Sequence, residues 1–292
     1  MPAVRFYWVD VFADVPLTGN PLSLVVDADA LTDEEMRSIA REFNQSETTF
    51  LVAPSASGAD YRLRSFTAAG VEVLGAGHNA MGAWIWLADS GALDAGRQQF
   101  AQQIGEDVLP VWIDRPATGR ARVTMRQAAP RFLHMSDRIA EFAAALGLPV
   151  VSLTGQPGEV VSTGAEHLLL AVRSRQDVDR AAPDAVRLRA LLADVGAEGC
   201  YLFTTDGGDD RADAYARFFN PTVGIVEDPA TGTAAGPLAA LLVRDSHAAN
   251  GSVLILQGHA MGRPSLLKVS VDDERVDLSG SGLVIGEGSL RL

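Results

Sequence analysis

The sequence predicts an α+β fold of two related domains, each a curled, mostly antiparallel sheet around a central helix. Three observations carry this expectation. Strand-like runs follow one another with short connections, which favours antiparallel pairing over β-α-β crossovers. Two helical stretches, Ala80 to Ala88 and Ala234 to Val243, are apolar on every side and must be enclosed. The pattern of strands and helices restarts after Pro130, so each half holds one of those two helices.

Taken in order, Arg5 to Phe12 and Leu22 to Val26 read as strands, with turn chemistry in Leu17-Thr18-Gly19-Asn20-Pro21 between them. Thr32-Asp33-Glu34-Glu35 is a capping box ahead of a helix to about Phe43, with Met36, Ile39, Ala40 and Phe43 at helical spacing. Thr48 to Val52 and Tyr61 to Phe66 read as strands. Val71-Glu72-Val73-Leu74 is a short β run before the first apolar helix, and more β material follows at Leu109 to Ile113 and Arg122 to Met125. In the second half, Ser136 is expected to cap a helix over Arg138 to Leu146, stopped by Gly147 and Pro149. Val160 to Val172 is strand-like on both sides of Gly164, Asp184 to Val195 is an amphipathic helix, and Cys200 to Thr204 and Ala212 to Phe219 are strands. The second apolar helix carries Pro237 in its expected first turn, where a missing N–H does little harm. Val253 to Gln257, Leu266 to Val271 and the tail Leu283 to Leu292 complete the strands. The expected domains are 1–129 and 130–282.

Composition bounds the function. Apolar residues make up 47% of the 292, enough for a sizeable core. The net charge of -13 argues against nucleic acid as a partner, since phosphate binding needs clustered Lys and Arg. It also means that any anion site must be built locally. The single cysteine, Cys200, permits no intramolecular disulfide and no two-cysteine acid/base pair. The start MPAVRFYWVDVF alternates like a strand and lacks the layout of a signal peptide. No apolar run reaches the roughly 18 to 20 residues of a bilayer span. A cytoplasmic protein with no membrane contact is expected. The five histidines, His78, His134, His167, His247 and His259, lack metal-ligand spacing, so no metal site is expected.

The two helix entries carry the chemistry. Gly75-Ala76-Gly77-His78-Asn79-Ala80 nearly matches a dinucleotide fingerprint. That reading fails because Asp94, near the required distance, has no apolar strand before it. Asp228-Pro229-Ala230-Thr231-Gly232-Thr233 likewise sets glycine and polar side chains ahead of a buried helix. Unpaired amides and the helix dipole at such a mouth suit a small carboxylate. The plainer reading keeps the glycines for packing and Asp228 and Thr233 for capping, but the two mouths together favour a site. Glu47 opens a β run among residues suited to burial. It is either a surface glutamate at a strand edge or a partly desolvated carboxylate able to carry protons near neutral pH. His167 lies in an apolar strand and reads as structural. Cys200 reads as a core position.

These residues carry a resemblance. Gly19-Asn20-Pro21, Ala40-Arg41-Glu42-Phe43-Asn44 through Ser46-Glu47-Thr48-Thr49-Phe50, Gly77-His78, Glu227-Asp228-Pro229-Ala230-Thr231-Gly232, and Gln257-Gly258 with Met261-Gly262-Arg263-Pro264-Ser265 occur in order. Together they resemble the PhzF-like phenazine biosynthesis family. The resemblance implies a diaminopimelate epimerase-like fold with the site between two domains, a C-terminal strand returning to the first, and a homodimer. It implies cofactor-free isomerisation of a small cyclic anion similar to trans-2,3-dihydro-3-hydroxyanthranilate. Glu47 would move the proton, His78 and Asp228 would assist and orient, and Gly77, Asn79, Gly232 and Thr233 would bind substrate. This chain has Thr233 where the family often has serine and Asn79 where it often has proline. A binding protein that keeps the cleft without catalysis is the alternative.

Overall fold

The computed structural model describes residues 3–206, 212–248 and 250–292, so the first two residues of the alternating start MPAVRFYWVDVF lie outside it. The described residues form 18 strands and six α-helices. They group into two compact units, one running to Arg126 and adding Ser279–Leu292, the other Gln127–Leu278.

The first unit contains β1 (Ala3–Val11), β2 (Asn20–Val25), α1 (Asp33–Phe43), β3 (Glu47–Val52), β4 (Tyr61–Thr67), β5 (Glu72–Val73), α2 (His78–Asp89), β6 (Gln99–Ile104), β7 (Asp107–Asp114) and β8 (Arg122–Gln127). The strands pair in the order β1-β2-β3-β4-β6-β7-β8, with β5 added on β4 and the closing strand Gly282–Arg291 on the free side of β1. Pairing is antiparallel except at β2–β3 and β4–β6, the two places where a helix intervenes. The capping box forms as the sequence indicates: Thr32 Oγ1 accepts from the Glu35 amide, and the Glu35 carboxylate accepts from the Thr32 amide at 2.8 Å. Met36, Ile39 and Ala40 of α1 turn inward. Helix α2 is buried from His78 through Ile85 and again at Leu87. It lies so close to β1 and β2 that a Cβ on Gly82 would stand 2.5 Å from Leu22 and 2.9 Å from Val11. Trp84, Phe50 and Phe66 are fully enclosed, and burial of each such side chain is worth about 1.5–3 kcal/mol. The Trp84 indole N–H donates to Gln102 at 2.8 Å, which satisfies the polar edge of that ring.

The second unit contains β9 (Arg131–Ser136), α3 (Ile139–Ala145), β10 (Gly158–Ser162), β11 (Glu166–Ala171), α4 (Arg175–Arg180), α5 (Ala185–Asp194), β12 (Gly199–Thr204), β13 (Ala214–Asn220), β14 (Ile225–Asp228), α6 (Gly232–Arg244), β15 (Ser252–Gln257), β16 (Ser265–Asp272) and most of β17 (Arg275–Gly280). The order is β9-β10-β11-β12-β13-β15-β16 with β14 added on β13, and the parallel pairs are β11–β12 and β13–β15. Strands β10 to β16 therefore repeat β1 to β7 in order and sense, with α6 in the place of α2. Gly236, like Gly82 the fifth residue of its helix, leaves no room for a Cβ, which would fall 1.8 Å from Gln127 Oε1.

Several local expectations are corrected. Ser136 ends β9 and does not cap α3, which starts at Ile139 after Arg138 with no side-chain cap. Helix α6 begins at Gly232, so Pro237 is its sixth residue and removes the amide that would bond to the Thr233 carbonyl. Strands β6, β9, β14 and β17 and helix α4 carry too little periodicity to be read from sequence. Among the described residues, no helix is long and apolar enough to cross a membrane.

Candidate active site

The mouth of α2 belongs to the first unit. Glu47 is the first residue of β3, opposite Thr67 at the end of β4, and His78 is the first residue of α2. These strand and helix ends bring His78 Nε2 to 3.2 Å from Glu47 Oε2, with the side chains only 8% and 14% exposed. Burial pushes the His78 imidazole down to about 4. At neutral pH it is uncharged, so the contact joins a neutral ring to a carboxyl group and is not an ion pair.

Asn79 braces this mouth. Its Oδ1 accepts from the Gly77 amide at 2.8 Å, and its Nδ2 donates to Ser65 Oγ at 3.1 Å and to the Gly75 carbonyl at 2.9 Å. Thr49 extends the network, with its hydroxyl 2.9 Å from Ser65 Oγ and donating to the Asn79 carbonyl at 3.2 Å. Both donors of the Asn79 amide group are thus engaged within the protein, and so is the amide of Gly77. Neither residue offers these groups to a ligand without giving up a bond.

The mouth of α6 belongs to the second unit. Asp228 is the last residue of β14, is buried, and stands opposite Phe218 of β13. Thr231 is the N-cap residue of α6, yet its hydroxyl donates to Asp228 Oδ2 in place of capping the helix. Gln257, the last residue of β15, ties the loop together. Its Nε2 donates to the Asp228 carbonyl at 2.7 Å and to Thr231 Oγ1 at 3.1 Å. Its Oε1 accepts from the Tyr201 hydroxyl at 2.7 Å and from the Thr231 amide at 3.2 Å. Burial and then the nearby Asp228 charge hold the Tyr201 phenol protonated as the donor. Gly258 follows in the left-handed region, where a Cβ would strike the Pro229 carbonyl oxygen at 2.5 Å. Gly232 gives its carbonyl to Gln127 Nε2 at 2.8 Å, and Thr233 Oγ1 lies 3.1 Å from His167 Nε2.

Of the residues singled out from sequence, Glu47, His78, Gly77 and Asn79 gather at one mouth, and Asp228, Gly232 and Thr233 at the other. His167, Tyr201 and Gln127 also build the second mouth, and no spacing pattern marked them; Gln257, which stood in a family-like motif without an assigned role, joins them. His134 sits on exposed β9 against the Val195 carbonyl, and His259 lies edge-on to the Tyr215 ring. The Cys200 thiol is buried and pushed up to about 12, which makes it a poor nucleophile. Among the described residues, no three His, Cys, Asp or Glu side chains cluster as metal ligands would.

The geometry can be set beside known proteins. A family model described as phenazine biosynthesis-like protein matches residues 9–288. The chain belongs to the PhzC-PhzF family. Within it, the trans-2,3-dihydro-3-hydroxyanthranilate isomerase of Pseudomonas aeruginosa is 35% identical over 290 residues, covering 97% of this chain and 98% of that protein. A PhzF-family protein from Bacillus anthracis superposes with a TM-score of 0.88 at 26% identity, with 100% of both chains covered. A hydroxyproline epimerase from Agrobacterium vitis, at 12% identity and a TM-score of 0.66 over 99% of this chain and 91% of that one, shares the fold alone. The protein is an isomerase of the PhzF type with the epimerase-like fold expected from its sequence.

Proposed function

We propose that this isomerase moves a proton between carbons of a small cyclic amino- or hydroxy-acid anion without a cofactor, with Glu47 as the shuttle. The observation that carries the reading is the half-enclosed Glu47 carboxyl held 3.2 Å from a buried imidazole at the mouth of α2. A base that takes a proton from carbon and returns it elsewhere must be held in one place and shielded from water. A neutral His78 steadies the carboxyl and brings no positive charge to hold protons off it. We assign His78 and Asp228 to the polar groups of the substrate. Thr233 and the first-turn amides of α6 near Gly232 would hold its carboxylate. Gly77 and Asn79 then shape the first mouth through their own hydrogen bonds.

The relative named trans-2,3-dihydro-3-hydroxyanthranilate isomerase supports this substrate class. That compound, incubated with the enzyme in deuterated water, is the first test. The expected result is isomerisation with deuterium placed on carbon. Glu47→Gln keeps the size and removes the base, so exchange should fall by roughly 10²- to 10⁴-fold. Exchange within a few-fold of wild type would exclude Glu47 as the shuttle. Activity retained after dialysis against a chelator and charcoal treatment would support cofactor independence, and activity restored only by an added metal or nucleotide would overturn it.

A further inference from the structure

His167 sits on β11, is 1% exposed, and packs edge-to-face on Phe218, with ring centroids 5.0 Å apart. Its Nε2 is 3.1 Å from Thr233 Oγ1. Its Nδ1 is buried and has no hydrogen-bond partner among the described residues. Burial pushes the ring down to about 3, so one nitrogen carries a hydrogen and the other does not.

The two tautomers have different consequences. With the hydrogen on Nδ1, a buried N–H is left without an acceptor, the rarest kind of orphan in folded proteins. Nε2 would then accept from the Thr233 hydroxyl and consume its only hydrogen. With the hydrogen on Nε2, that N–H donates to Thr233 Oγ1, and only a lone pair is left unmatched at Nδ1. The Thr233 hydrogen then remains free to donate elsewhere. Thr233 is the second residue of α6, just ahead of Ala234 and Ala235, whose amides already bond to the Thr231 carbonyl at 3.1 and 3.0 Å.

We propose that His167 is a positioning residue that donates from Nε2 to Thr233, turning the threonine hydroxyl into a dedicated donor for the substrate carboxylate. The proposal rests on the reading of Thr233 as a carboxylate contact. Its readouts use structure and binding, not turnover, so the shuttle role of Glu47 can fail without it.

Nitrogen NMR of histidine-labelled protein at pH 7 should show His167 as the Nε2–H tautomer, and an Nδ1–H tautomer would overturn the proposal. Binding is read with benzoate as a plain carboxylate probe, through the amide signals of Gly232 and Thr233. Wild type should shift on titration. Thr233→Val and His167→Phe should each weaken the binding about tenfold, the loss of one hydrogen bond to a charged group. Thr233→Ser, which keeps the hydroxyl, should stay near wild type. The double variant should bind no more weakly than Thr233→Val alone, because His167 acts through that hydroxyl. Additive losses, or His167→Phe binding as tightly as wild type, would mean a packing role only. No response of these amides in wild type would equally overturn the proposal.

Discussion

The mouths of α2 and α6 are built on the same strand order, yet they hold different chemistry. Each has a buried neutral imidazole facing a polar side chain: His78 against Glu47, and His167 against Thr233. Each has a glycine at the fifth helical residue. Each is braced by an arginine from the equivalent strand, Arg64 to Glu72 and Arg217 to Glu227. The first mouth pairs its histidine with the carboxyl group of Glu47, the proposed proton shuttle. The second ties its carboxylate, Asp228, into the Thr231 and Gln257 network and faces its histidine with a hydroxyl. A repeated scaffold fixes where side chains stand, while the side chains set the chemistry of each mouth.

The largest effect should separate the two mouths by kinetic step. Glu47→Gln should lower kcat by roughly 10²- to 10⁴-fold, whereas Thr233→Val should raise KM about tenfold and leave kcat nearly unchanged. Steady-state kinetics on the two variants checks this. A kcat loss in Thr233→Val as deep as that in Glu47→Gln would erase the division of labour.

The braces should differ in weight. Arg217 is 9% exposed, forks onto Glu227 at 2.7 and 2.8 Å, and donates to the carbonyls of Val178, Asp179 and Ala181. Arg217→Met strands the half-buried Glu227 and those carbonyls, a loss of about 3 kcal/mol. Arg64 is 15% exposed and its partners Glu72 and Asp33 are 31% and 58% exposed, so Arg64→Met should cost only about 1 kcal/mol. Urea unfolding of both variants measures the difference.

Acid should attack both histidines. Unfolded histidine binds its proton near 6.5, whereas His78 does so only near 4 and His167 near 3. Below pH 6.5 the unfolded chain therefore holds more protons than the folded one, so stability falls as pH drops from 6.5 toward 4. Each buried ring should contribute on the order of 1–3 kcal/mol to that loss. Replacing either with Phe should flatten the slope of unfolding free energy between pH 6.5 and 4.5, and an unchanged slope would show that the ring is not buried neutral.

The smallest effects should come from the helix glycines. Gly236→Ala must displace Gln127 from its bond to the Gly232 carbonyl, and Gly82→Ala must push back Leu22 and Val11. Overpacking costs about 1–3 kcal/mol, offset by about 1 kcal/mol of helix propensity. Thermal melts of the two variants would rank the tightness of the two packings.

Legibility tracked the range of the interactions. The capping box at Thr32, the amphipathic helix after Asp184 and the all-apolar helices are local patterns, and they stand where the sequence places them. Strand β9 escaped because five of its six residues face solvent and show no alternation. Strand β6 escaped because its buried residues include Gln102 and Gln103, whose amides are satisfied by Trp84 and by the Ser55–Ala56 loop. Glu47, His78, Asp228 and Thr233 were found through glycine-flanked helix entries and family-like motifs. His167 read as a core residue, since its partner lies 66 positions away in the chain.

By itself, the sequence determined the fold class, the two enclosed helices and their glycine-lined entries, because these follow from periodicity, capping and backbone freedom within a few residues. Only the tertiary structure decided that Glu47 meets His78 and that Asn79 spends its amide on Gly77, Gly75 and Ser65. The same holds for Asp228, which answers to Thr231 and Gln257. Those outcomes depend on how strands distant in sequence pair, and on which buried polar atoms must satisfy one another once water is gone.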